Sequence, residues 1–291
     1  MTVRVLALAS GVTDLTGHRY HESAGFTQAG VGNARSGIIP TSGAADVSQV
    51  STMVVSVAGF AAWIDGTASA NQAGYNFVSD AATQITIADG EASVARTDRI
   101  WAVVHHDVFD SSGQTVGAVE YGKGQATGQP TALPASAILL YEFSVPAGRS
   151  AANGGVPISS FVDKRTYTAA AGGIIPVHSL AERNAIAAPY PGMTVWRMDT
   201  GLVEVWNTNW LTQGVPTIAS VGSAAAFIST PIDGQLLFAQ DTRSLYQYDA
   251  SAAQWKPYFG APTDYSSSLQ WTATSTNPTK GSGTTYTARY T

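Results

Sequence analysis

Short apolar runs of strand length, broken by turn residues, fill most of the chain, and no stretch sustains a helical period over several turns. The alternation predicts strands at 53–57, 60–64, 75–78, 84–88, 99–109, 115–121 and 137–145. Asp65-Gly66, Asp89-Gly90, Ser112-Gly113 and Pro146-Ala147-Gly148 lie between them and carry turn chemistry. Within 99–109, Ile100, Ala102, Val104 and Val108 fall on one face and Trp101, Val103 and Phe109 on the other. Both faces are apolar, so this is expected to be a central strand covered on both sides. Strands at this spacing predict a β-sandwich over residues 49–172. Residues 9–48 are rich in Gly, Ser and Thr and show no clear period. They predict an extended N-terminal arm, taken as 1–48, that docks on another surface, with Tyr20 and Phe26 as candidate anchors. The stretch 167–173 (YTAAAGG) reads as a linker.

Downstream, the pattern repeats with an offset of 42 residues. Gly192, Asp199-Thr200, Val203, Trp206 and Asn207 match Gly234, Asp241-Thr242, Leu245, Tyr248 and Asp249, and Trp210 corresponds to Trp255 after a small insertion. Each copy predicts strand, Asp-Thr turn, strand, and a polar turn leading to a Trp. An aspartate in such a turn can accept backbone N–H bonds and tie the hairpin tip, which gives Asp199, Thr200, Asp241 and Thr242 a structural role. Ser179 and Glu182 form a capping-box pattern, predicting a short helix to about Ala188, where Pro189 and Pro191 stop it. The predicted architecture is mainly β: arm (1–48), β-sandwich (49–172), hairpin modules at 173–217 and 218–259, and a C-terminal β segment (260–291).

Composition narrows the function classes. Only 12% of the 291 residues are charged, while Ala, Gly, Ser and Thr dominate. A net charge of -5 argues against phosphate-backbone binding, so no nucleic-acid partner is expected. Cysteine is absent, which excludes disulfides, Cys-type zinc sites, iron–sulfur ligation and a thiol nucleophile. No window approaches the length of a membrane span, and the short run at 1–10, interrupted by Arg4, does not read as a signal-peptide core.

Candidate chemistry is sparse. His18 and His21 would share a metal only on a helix, which their Gly-, Ser- and Thr-rich surroundings argue against. His105 and His106 are adjacent on a predicted strand and point to opposite faces, and His178 stands alone. No Gly-x-Ser-x-Gly elbow exists, and Gly122-Lys-Gly124 lacks the setting of a phosphate loop. The carboxylates Asp199, Glu204 and Asp241 fall on the repeated hairpins, where recurrence favours turns over catalysis. The chain is therefore read as no enzyme, with no cofactor and no metal. Trp196, Trp206, Trp210, Tyr246, Tyr248 and Trp255 cluster in the repeats; they either stack on glycan rings or form the modules' own core.

Asp98-Arg99-Ile100, the Leu133-Pro134-Ala135 entry to Ile138-Leu139-Leu140, and Asp163-Lys164-Arg165-Thr166-Tyr167 resemble the N-terminal module of tailed-bacteriophage minor tail and tail-fibre proteins. Pro191-Gly192, Asp199-Thr200, Trp206-Asn207 and Trp210 resemble the short hairpin modules that follow in such proteins. Trp271 through Asn277-Pro278 to Arg289-Tyr290 looks like the opening strand of their receptor-binding sandwich. The resemblance covers about residues 45–290 and departs at His105 and His106. It implies a virion structural protein of a tail fibre, tail tip or baseplate, assembled in the host cytoplasm. The implied partners are itself, as a homotrimer, other tail proteins and a host-surface glycan. The alternatives are a capsid-attached fibre or decoration protein and a carbohydrate-binding adhesin.

Overall fold

A computed structural model describes residues 15–258. The predicted C-terminal segment and the first part of the predicted arm lie outside the described residues. The fold is mainly β, with several small sheets. The chain divides into two compact units, one ending at Trp206 and the other starting at Asn207.

The first unit begins with α1 (Leu15–Ser23) and a small ribbon of β1 (Gln28–Gly30) and β2 (Asn33–Ala34). Then come β3 (Gly37–Ile38), β4 (Val47–Ser51), β5 (Val54–Val57), β6 (Phe60–Ile64), β7 (Tyr75–Ser79) and β8 (Thr83–Thr86). The long β9 (Arg96–His106) runs into one turn of helix, α2 (Asp107–Asp110), and β10 (Thr115–Gly122), β11 (Ala137–Val145) and β12 (Phe161–Asp163) follow. These strands make three antiparallel sheets, in the orders β3-β6-β7, β4-β5-β8 and β10-β9-β11-β12. The sheets share one core, in which Ile38, Val55, Ile64, Ile85, Ile100 and Leu140 come from six different strands. The aromatic centre is a stack of Phe143 on Phe161, with ring centroids 4.0 Å apart.

The long strand is central, between β10 and β11, and its run of buried residues from Ile100 to Val103 uses both faces. It stops at His106 rather than Phe109. Asp110 accepts the His106 N–H at 2.8 Å and also caps Ser112, closing a helical turn that leaves Val108 exposed. On the outer face the Trp101 ring lies against Gly122, where a Cβ would stand 2.1 Å from the ring.

The expectation of an extended arm is corrected for the described part. Residues 15–23 are helical. Tertiary bonds override their weak local preference: Arg19 donates to the Gln72 carbonyl at 2.9 Å, Glu22 accepts from Asn76 at 3.1 Å, and His18 pairs with Glu22 one turn along. Ile38, Ala44 and Ala45 belong to the core, so residue 48 is no structural boundary. The two candidate anchors are engaged within the chain. Phe26 packs on Trp63 with centroids 5.1 Å apart, and Tyr20 lies against Gly32.

The predicted linker at 167–173 is packed too. Ile38 donates to Thr166 and accepts from Thr168, while Thr27 donates to Ala169 and Ala171 to Gly25, all at 2.8–3.0 Å. Gly37 makes this clasp possible, because a Cβ there would stand 2.5 Å from the Tyr167 backbone.

Two of the motifs quoted for the family resemblance, around Asp98 and around Arg165, hold polar networks inside the first unit. Asp98 is fully buried and accepts from Arg96, Tyr121 and the Gly124 N–H. Burial, reinforced by this aspartate, pushes the Tyr121 hydroxyl up to about 12. Arg165 pairs with Asp163 and Asp46, donates to the Ala44 carbonyl and covers the Tyr141 ring at 5.4 Å. Burial opposes ionisation of Asp163, but its bonds from Arg165 hold the carboxyl below its ordinary value.

Candidate functional site: the hairpin modules

The first module continues the first unit with β13 (Ile174–Val177), α3 (Leu180–Asn184), β14 (Thr194–Arg197) and β15 (Leu202–Asn207), whose last residue starts the second unit. The second unit contains β16 (Asn209–Thr212), β17 (Thr217–Ile218), α4 (Ala224–Phe227), β18 (Leu236–Ala239), β19 (Ser244–Asp249) and β20 (Gln254–Pro257). Each module crosses from one strand, through a capped helical turn, to a parallel neighbour, and then turns back antiparallel. The predicted helix at Ser179 forms but ends at Asn184, short of Ala188. Ser179 Oγ accepts the Glu182 N–H, and the Glu182 carboxylate accepts from His178 N–H and from Arg35.

The structural repeat reaches further upstream than the matched hairpins. Ser220 caps a second helical turn, one position off the 42-residue offset from Ser179, with Ser223 as its reciprocal partner. The signal was present as two serines, each two residues after Val177 or Ile218, but the Ser220 segment lacks the acidic residue that marks a capping box.

Both modules bury aliphatic side chains at matching positions, Val177, Ile186 and Val195 in the first and Ile218, Ile228 and Leu237 in the second, and the interiors differ in what is added to them. In the first module the inward positions of β14 and β15 carry Arg197 and Glu204, both buried, together with buried Arg183 from α3. Glu204 stands between the two guanidinium groups, 3.1 Å from Arg183 and 3.2 Å from Arg197. Asp199 joins them, 2.9 Å from Arg197. Burial opposes the charge of both arginines. It wins at Arg183, whose pKa is lowered, whereas bonds from Asp199 and Glu204 raise that of Arg197. This ion cluster was not recognised in the sequence, although the alternation of β14 places Arg197 on the same face as Val195. In the second module the corresponding residues are Ala224, Ala239 and Tyr246, in an apolar core with Ile218, Ile228 and Leu237.

The two turn aspartates behave differently. Asp241 accepts its neighbour's N–H, from Thr242 at 2.8 Å. Asp199 instead grips Arg197 through both carboxylate oxygens, and Thr200 Oγ1 accepts the Leu202 N–H at 3.4 Å. The Asx-turn expectation is thus corrected at Asp199: a buried guanidinium two residues earlier competes for its oxygens and takes them.

Of the six module aromatics, Trp196 is the exposed one, at 40%. It stands outward in a cross-strand row with Pro176 and Val203, beside a second row of Ile174, Thr194 and Val205. Trp210 is buried, Tyr246 and Trp255 pack against the second core, Tyr248 meets Trp255 at 5.2 Å, and Trp206 is half-buried. The second module also bears an open cleft of about 510 Å³ between Asp233, Gln247, Asp249 and Lys256. Its polar groups largely satisfy one another: Asp249 accepts from Lys256, Ser251 and Ala252, and Asp233 from Ala250. Such faces can stack or adhere. Among the described residues no group of three or more His, Asp or Glu side chains is arranged to hold a metal ion. His105 and His106 turn to different partners, Glu120 and Tyr75.

No protein-family model matches the chain, and the searches of curated proteins and of solved structures return no significant match.

Proposed function

We propose that the chain is a structural subunit of a bacteriophage tail, of the fibre, tip or baseplate kind, that docks by its N-terminal part and projects its hairpin modules. The observation that carries this reading is the tandem module. One backbone plan occurs twice with matching aliphatic positions, while the buried charges of the first copy do not recur, so what is repeated is a framework and not a chemical group. A protein that needs extension rather than a reaction centre gains from that kind of repetition. The charge-poor composition and the family resemblance support the same reading, and they suggest a homotrimer.

The test is direct. Virions purified from the phage that encodes the chain are blotted with an antibody to it and imaged with a gold label. Signal at the tail is the expected result, while its absence from clean virions overturns the proposal. Deleting residues 1–45 would remove Ile38, Ala44 and Ala45 from the core. The informative truncation is therefore 1–14, which spares every described contact and is expected to lower incorporation. Trp196 is the specific observation favouring a glycan-binding reading. Trp196→Ala should abolish binding to host-surface polysaccharide under that alternative and leave particle assembly unchanged under the tail reading.

A further inference from the structure

β10 is an edge strand with none of the usual protections. The sheet order is β10-β9-β11-β12, so β10 pairs with β9 on one side and with no strand on the other. At eight residues it is the longest edge of the three sheets; β3, β4, β7, β8 and β12 run from two to five. Its register with β9 is continuous from Thr115 to Gly122, without a bulge, and it contains no proline, lysine or arginine. Those are the devices that keep an exposed edge from pairing with another chain.

The ladder determines which groups are free. Asp107 donates its N–H to the Gln114 carbonyl, while Val104 donates to the opposite side of β9, to Ser136. With that parity Val116, Ala118 and Glu120 bond to β9, and Thr115, Gly117, Val119 and Tyr121 turn their N–H and C=O groups outward. Among the described residues no hydrogen bond reaches these outward groups. The side chains leave the edge open as well. Val119 and Tyr121 pack on the core and Gly117 faces the Phe77 ring. On the other face Val116 is half exposed and Ala118 is small. Glu120, the strand's one charged residue, is drawn back over its own sheet by His105 Nε2 at 2.8 Å and Trp101 Nε1 at 3.2 Å.

We propose that β10 pairs antiparallel with β10 of a second copy of this chain, about a two-fold axis at Ala118. That register sets 115 against 121 and 117 against 119, so every outward residue of both chains is used and about eight backbone bonds form. An axis at Gly117 or Val119 would leave an outward residue without a strand partner. An axis at Glu120 would set two carboxylates opposite each other, whereas at Ala118 each Glu120 faces the partner's Val116. The contact is also closed. It covers both β10 edges, and the far edge of the sheet, β12, has only three residues, so pairing stops at two copies. Closure makes an unprotected edge tolerable and favours a second copy over an open series of strands. This inference does not depend on the tail assignment: a two-fold contact is separate from three-fold association and would double a trimer.

Sedimentation equilibrium of the full chain at micromolar concentration tests it, with the mass of an even number of copies expected. Ala118→Lys places like charges across the axis and should halve that mass, as should Ala118→Glu. Mixing the two variants in equal amounts should restore it, which a misfolded variant could not do. The chain has no cysteine, so Ala118→Cys reports on the axis alone. Opposed residues of this kind of pair have Cα atoms about 4.5 Å apart, within disulfide reach. Mild oxidation should link Ala118→Cys chains in pairs at least ~10-fold faster than Val108→Cys chains, because pairing raises the local thiol concentration. Val108 is exposed but lies outside the strand. The mass of a single chain overturns the pairing, and so does a mass that Ala118→Lys leaves unchanged. Equal linking of the two cysteine variants overturns the axis at Ala118.

Discussion

The two hairpin modules follow one backbone plan around interiors that agree in their aliphatic positions and differ in the rest. Val177, Ile186 and Val195 match Ile218, Ile228 and Leu237, but where the first module adds two arginines and a glutamate the second has alanines and a tyrosine. They also share a serine cap at the helical turn, an Asp-Thr pair at the hairpin tip, and a period-two strand pattern. The plan is therefore set by local signals and alternation, and the interior needs only to be filled and satisfied. Two charges of one sign around a single carboxylate are tolerable because Asp199 supplies the second anion from the turn. That explains why the aspartates at the two tips bond so differently.

The most severe disruption of this comparison is Glu204→Ala. It leaves Arg183 and Arg197 buried around a lost anion and should cost about 3–5 kcal/mol, read from chemical denaturation. Installing the second module's residues together, as Arg183→Ala, Arg197→Ala and Glu204→Tyr, should recover most of that loss, the remainder being set by the cavity that the two arginine stems leave. Collapse of the triple variant would show that the ion cluster specifies the module rather than merely filling it. At the tips, Asp199→Ala should cost about 1–2 kcal/mol and Asp241→Ala about 0.5 kcal/mol, since only the first removes a partner from a buried charge. Equal losses would remove the distinction between the two turns.

The smallest expected effects set the two units at opposite ends of the pH scale. Tyr121 and Tyr141 in the first unit are both pushed up to about 12, chiefly by burial. The fold favours their neutral form, so their contribution is complete below about pH 10 and is lost as pH rises toward 12. Asp249 in the second unit is held below its ordinary value, first by its bond from Lys256 and then by that from Ser251. Its contribution is present above about pH 4 and is lost as pH falls. Hydrogen exchange resolved by unit should show alkaline weakening in the first, flattened by Tyr121→Phe. In the second it should show slight acid weakening, flattened by Asp249→Asn.

Much of the sheet structure was legible in the sequence because alternation and turn residues act locally. The strands at 60–64, 115–121 and 137–145 read almost to the residue. What escaped is tertiary in origin. The helix at 15–23 has little propensity of its own and is held by Arg19 and Glu22, whose partners lie some fifty positions away. The segment 167–173 reads as a linker because small residues suit one, yet the same small side chains permit close backbone packing. The buried arginines of the first module were hidden by the rule that charge lies outside, which fails when every charge has a partner.

The clasp between residues 25–38 and 166–171 also determines how the first unit would carry tension. Phe26 and Ala170 are bridged antiparallel, so opposed pulls on the two ends of the unit would peel that contact apart one bond at a time. Ile38 and Tyr167 are bridged in parallel, and there the same pulls act along the strands and load the two flanking hydrogen bonds together. A subunit strung between anchors would thus yield first at a soft outer contact and then meet a stiff inner one. Ile38 itself belongs to the shared core and its strand pairs with β6, so that inner contact passes load directly into the core.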